Sequence, residues 1–158
     1  MDAFLHYFLP CFYSFVACIA FCVLFNIHSG ILICAFGGAL GWLVYLLCAP
    51  VFHSDILQSF VAALFISAYS EVMARIRKCP VTGYLLVAFF PLVPGSGIYY
   101  AMEHAVNGET ELFLDVLLHT LGVAGSLAVG VLLVSSVVRL LNIAQRRRQT
   151  RRNARRQG

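Results

Sequence analysis

The amino-acid sequence predicts an all-α, polytopic helical membrane protein of about five transmembrane helices, the fourth interrupted at mid-membrane. Three observations carry this expectation. Hydrophobic residues make up 61% of the 158-residue chain and charged residues 11%, with a mean hydropathy of +0.86, well outside the composition of a water-soluble domain. Charge is also segregated. From Leu112 to Val138 the one charged side chain is Asp115, whereas Arg146 to Arg156 carries seven arginines. Finally, apolar stretches at about 3–25, 31–49, 56–74, 81–103 and 112–138 each approach the ~20 residues that a spanning helix needs.

The first stretch is read as a mature span, because Asp2 and His6 stand where a cleavable leader would carry Lys or Arg. It ends at Asn26-Ile27-His28-Ser29-Gly30. The later breaks, Pro50 to Asp55, Arg75 to Cys79 and His104 to Glu111, contain polar residues or the Pro and Gly that stop helices. None can hold a folded domain, so residues 1–141 form a transmembrane domain and residues 142–158 an arginine-rich cytoplasmic tail. The second span carries Gly37-xxx-Gly41, the third Ser59, Ala63, Ser67, Ser70 and Glu71, and the fifth Gly122, Ser126 and Gly130. Small residues at helical spacing permit close backbone approach. The polar stripe of the third span must face protein or water, since a charge at mid-bilayer costs roughly 2.5–3.5 kcal/mol.

Lys and Arg are retained on the cytoplasmic side of short loops. An outside N-terminus and a cytoplasmic C-terminus put all eleven on that side. The basic tail, directly after a span, is suited to anionic lipid at about 1 kcal/mol per charge, and no nucleic-acid partner is expected. The six cysteines show neither a CxxC pair nor zinc-like Cys/His spacing, so they are read as small packing residues, with no metal or other cofactor.

The fourth span is the most informative. Pro80-Val81-Thr82-Gly83 opens it, and Pro91-Leu92-Val93-Pro94-Gly95-Ser96-Gly97-Ile98-Tyr99-Tyr100 follows. Two prolines three apart remove two backbone donors and clash with the preceding turn, while Gly95 and Gly97 permit non-helical backbone. Bare backbone inside a membrane is tolerated only against protein or a water-filled cavity. The half-helix beginning near Ser96 therefore offers N–H groups to a carboxylate, and carbonyls released before Pro91 and Pro94 offer acceptors to a cation.

The run Pro80, ten residues, Pro91-x-x-Pro94-Gly95-x-x-x-Tyr99, in a short chain whose first span ends at Phe25-Asn26, resembles the threonine/serine exporter family. It is most similar to that family's small membrane-only subunit (YjjB-like), over residues 10 to 138 or so. The resemblance implies a bacterial inner-membrane exporter of small amino acids, or of related organic acids, by secondary transport. It also implies a larger partner subunit with a cytoplasmic N-terminal domain and about five spans of its own. Pro91, Pro94, Gly95 and Tyr99 carry over as motif, and Ser96 and Gly97 join them as expected substrate-site residues. Independently of the family, units with an odd number of spans pair with inverted topology, the arrangement of inverted-repeat transporters. Two alternatives stay open: a structural or assembly subunit without its own substrate site, and an exporter of small dicarboxylates.

Asp115 and His119, at i and i+4 on the fifth span, are expected as a proton-coupling pair. Glu71 and Arg75 have the favourable order for a helix salt bridge, and Glu103 and His104 are read as solvated. Catalysis is not expected: Gly95-Ser96-Gly97 lacks the flanking pattern of a nucleophile elbow.

Overall fold

The computed structural model describes the backbone of residues 2–27 and 30–157 and the side chains of residues 8–27, 30 and 32–144. Every regular element among them is helical. In chain order these are α1 (Asp2–Leu24), α2 (Ile31–Cys48), α3 (Asp55–Arg77), α4 (Val81–Phe89), a 3-10 turn (Phe90–Leu92), α5 (Gly95–Val106) and α6 (Thr110–Gln157). The protein is a helical membrane protein. Helix α3 and the Thr110–Ala144 part of α6 are each long and apolar enough to cross a bilayer. Val81–Leu92 and Gly95–Val106 meet the same test together, bent by 51° at the break. The described parts of α1 and α2, Phe8–Leu24 and Leu32–Cys48, are shorter apolar helices, near the ~17-residue lower limit for a span.

Each expected stretch falls on one of these units, but several ends differ. Helix α3 runs on to Arg77, where Lys78 turns left-handed at φ 55°, the Cys79 N–H returns to the Ala74 carbonyl at 3.1 Å, and Pro80 prevents continuation. Helix α6 does not stop after Val138. It runs on to Gln157, 48 residues in all and about 72 Å at helical rise, because the arginines, alanines and glutamines after Gly130 favour helix and no breaker interrupts them. Side chains from Gln145 onward, including the seven tail arginines, lie outside the described residues, as do His28 and Ser29 of the first loop.

The interior is built from small and polar residues. Cys18, Cys22 and Cys34 lie together with Ala35, Ala74, Tyr84 and Val87 in one buried cluster, and Ala62, Ala63, Ile66 and Ala88 centre a second. Large apolar side chains such as Leu24, Leu32, Leu118, Leu132 and Leu140 are exposed. This is the inverse of a soluble core, as lipid-facing helices require: lipid satisfies a large apolar side chain as well as protein does, and close backbone approach needs small ones. Tyr69 donates to the Ile33 carbonyl at 2.8 Å and Ser14 to the Gly38 carbonyl at 3.3 Å, tying α3 and α1 to α2.

Helices α3 and α6 pack side by side and parallel. Asp55 meets His119, Ile56 meets Gly122, Ala63 meets Gly130 and Arg75 meets Asn142, so the register is kept along their length. A Cβ added at Gly130 would stand 2.7 Å from the Ala63 Cβ and 3.3 Å from the Phe60 carbonyl oxygen. The glycine stripe of the second span is likewise a contact face, with Gly37 against Tyr69 and Gly41 against Ile66. The stripe on α3 faces protein, as expected: Ser59, Ala63, Ser67 and Ser70 are all buried. Glu71 is mostly buried and lies 4.0 Å from Arg75, which donates to Asn142 at 2.9 Å.

Candidate functional site

The interruption between α4 and α5 has a definite backbone form. Val93 is extended, and Pro94, at φ −76° and ψ 57°, is the centre of an inverse γ-turn closed by the Gly95 N–H on the Val93 carbonyl at 2.7 Å. The break uses the two carbonyls that its prolines release. Pro91 cannot donate to the Val87 carbonyl, which instead takes the Phe90 N–H and the Cys18 thiol at 3.4 Å. Pro94 likewise leaves the Phe90 carbonyl to the Val93 N–H at 3.4 Å. The donors are different. Ser96 and Gly97 lie in the first turn of α5, where backbone N–H groups have no intrahelical carbonyl to meet and the helix dipole is positive.

These donors border a partly open cavity of about 250 Å³. Pro91, Leu92, Val93, Pro94, Ser96 and Gly97 supply the wall from the break, Trp42 and Tyr45 come from α2, Asp55 and Ser59 from α3, and His119, Thr120 and Val123 from α6. The volume is below the ~300–1,000 Å³ of pockets for drug-sized ligands, which restricts the occupant to a small molecule. Gly97 allows the α5 backbone to reach this wall: a Cβ there would overlap the Thr120 hydroxyl, whose proton is committed to the Val116 carbonyl at 2.7 Å.

The polar lining is asymmetric. Asp55, the first residue of α3, is the one carboxylate in the wall. Its Oδ2 lies 3.5 Å from His119 Nε2, and both side chains are about half-exposed. The Tyr45 hydroxyl is within hydrogen-bonding reach of the same carboxylate. Trp42, stacked on Tyr45 at 5.4 Å between ring centroids, has its indole Nε1 buried with no partner among the described residues. The cavity therefore has an acidic side at Asp55 and a donor side at the start of α5. No cluster of three potential metal ligands occurs among the described residues.

A broken helix beside a small cavity is an arrangement found in membrane transporters. A family model described as Threonine/Serine exporter, ThrE, matches residues 10–137. The chain belongs to the threonine/serine exporter family. No curated protein and no solved structure matches it. The sequence resemblance rested on the same proline-glycine break, and ThrE is a family of transporters.

Within this ThrE-family chain, the structure brings Pro91, Pro94, Ser96 and Gly97 together in the cavity wall. Gly95 and Tyr99 are outside it. Gly95 has open space around it and Tyr99 is exposed, packed edge-on against Tyr100. His119 reaches the cavity, but Asp115 is exposed and off the wall; the ion-pair partner of His119 is Asp55, across the interface with α3. His104 is not simply solvated, since it pairs with Glu109 at 2.5 Å across the α5–α6 turn. Trp42, Tyr45, Asp55 and Thr120 were not legible as site residues. They lie on three different apolar stretches or at their edges, and no local spacing joins all of them. Ser59 could be seen only as one member of a packing stripe.

Proposed function

We propose that this chain is the membrane subunit of a two-component exporter of small amino acids such as threonine and serine, working by secondary transport in the bacterial inner membrane. The observation that carries the reading is the coincidence of the Pro91–Gly97 break with the small cavity, whose wall offers both an acid and free helix N-terminal donors. Family membership supports transport of a small substrate. The chain is multi-pass with its N-terminus outside. Arg75, Arg77, Lys78 and Arg139 support that orientation, lying toward the opposite end of the α3–α6 pair from Asp55 and Glu111. The tail from residue 142 is then a cytoplasmic anchor for anionic lipid.

A larger second subunit, with a cytoplasmic N-terminal domain and about five spans, completes the pathway; the open cavity of this thin bundle supports that need. His119, paired with Asp55, is the proton-coupling group of this reading. The test replaces Pro91 and Pro94 with alanine, which supplies two helix donors and removes the break. Cells expressing the double variant with the second subunit should accumulate intracellular threonine and serine as cells lacking the chain do, at normal membrane abundance of the variant. Export at the wild-type rate would refute the site.

A further inference from the structure

We infer that Asp55 is the cation seat of the cavity and its specificity-determining residue: a carboxylate that gives up its contact with His119 to hold the ammonium group of a zwitterionic substrate. The inference rests on the reading of this cavity as the substrate site, and it assigns the two poles of the substrate to particular side chains.

The first step is elimination among acceptors. A broken helix ordinarily offers carbonyl oxygens to a cation. Here the Val87 carbonyl is taken by Phe90 N–H and the Cys18 thiol, and the Phe90 carbonyl by Val93 N–H. Among the described side chains of the wall, Asp55 is the one carboxylate, and it is the acceptor that carries the charge an ammonium group seeks. The second step concerns what Asp55 already holds. At 3.5 Å its contact with His119 Nε2 is longer than the ~2.7–2.9 Å of a tight charge-assisted bond. Both side chains are about half-exposed, so a competing cation can reach the carboxylate and the displaced imidazole can return to water.

The third step is the opposite pole. The first turn of α5 brings backbone N–H groups without intrahelical acceptors to the wall at Ser96 and Gly97. These donors give a carboxylate a place to bind away from Asp55. A ligand with one ammonium and one carboxylate satisfies both poles. A hydroxy acid of the same shape leaves Asp55 without its cation, and a dicarboxylate sets like charges together there.

The chain contains a single tryptophan, and it lines the cavity, so its fluorescence reports occupancy directly. The full-length chain in lipid nanodiscs is titrated with serine, with glycerate, which replaces the ammonium by a hydroxyl, and with succinate. Trp42 emission should respond to serine at concentrations at least about a hundredfold lower than to glycerate, and succinate should be weaker still. Asp55→Asn should reduce the serine/glycerate ratio to near unity, and Asp55→Glu should retain most of it. A structural role at the start of α3 would lower thermal stability in both variants without changing the ratio. An unchanged ratio in Asp55→Asn, with serine still binding, overturns the cation seat and leaves the cavity reading standing. A wild-type chain in which none of the three ligands alters Trp42 emission overturns both.

Discussion

The packing of α3 against α6 holds Asp55 opposite His119, and one alanine tests it. A Cβ added at Gly130 would lie 2.7 Å from the Ala63 Cβ, 3.3 Å from the Phe60 carbonyl oxygen and 3.4 Å from the Leu64 amide nitrogen. Carbon atoms prefer about 3.5–4.0 Å, so the helices must part by roughly 1 Å. Two of the three opposing atoms are backbone and cannot rotate away. Overpacking of this kind costs ~1–3 kcal/mol. Alanine also favours helix over glycine by about 0.5–1 kcal/mol, which partly conceals the clash.

Gly125, on the same helix, has nothing within 4 Å of its added Cβ and supplies the control. Because the propensity gain is common to both sites, the stability difference between Gly130→Ala and Gly125→Ala isolates the clash at ~1–3 kcal/mol. Thermal unfolding followed by circular dichroism in nanodiscs should show Gly125→Ala at or above the wild-type Tm and Gly130→Ala below Gly125→Ala. The separation should be about 2–4 °C per kcal/mol for a chain of this size. Adding Ala63→Gly to Gly130→Ala should recover part of the loss, with a coupling of ~0.5–3 kcal/mol. Equal melting of the two alanine variants would refute the close α3–α6 approach and the placement of Asp55 that depends on it.

Two further outcomes concern orientation and coupling. In single-cysteine variants, a membrane-impermeant maleimide should label Cys79 from the cytoplasmic side and Cys48 from outside, while Cys18, Cys22 and Cys34, at most 1% exposed, stay unlabelled in the folded protein; labelling of Cys79 from outside would reverse the orientation. His119→Gln should impair threonine export at least about tenfold more than Asp115→Asn, because His119 lines the cavity and faces Asp55 while Asp115 does neither; equal losses, measured as intracellular threonine at matched abundance, would restore the Asp115 pairing.

The break at Pro91–Gly97 was legible because its cause is local. Proline lacks the donor whatever surrounds it, and Pro94 closes a γ-turn using only its neighbours. The contact of His119 with Asp55 was not legible beside the Asp115–His119 spacing, because its cause is not local. Spacing along one helix places two residues near each other but does not say which way a ring turns when a carboxylate on α3 stands closer to it. The acceptors expected at the break could not be judged either, since the group that meets Val87 is Cys18, 69 residues away. Helices α3 and α6 run past the expected span limits because hydropathy marks where lipid ends, and the helices continue beyond it.

The sequence by itself determined that the chain lives in a membrane as helices, that one of them is broken, and that it carries the marks of the threonine/serine exporter family. The first two follow from composition, period and single residues whose backbone preferences need no context; the third is a resemblance carried by the Pro91–Tyr99 motif. The tertiary structure alone decided what faces the break. Trp42, Tyr45, Asp55, His119 and Thr120 arrive from three helices and meet because the small faces of Gly97, Gly122 and Gly130 let α3, α5 and α6 approach closely. A site assembled across helices is set by interhelical distance and rotation, quantities that residue order does not express.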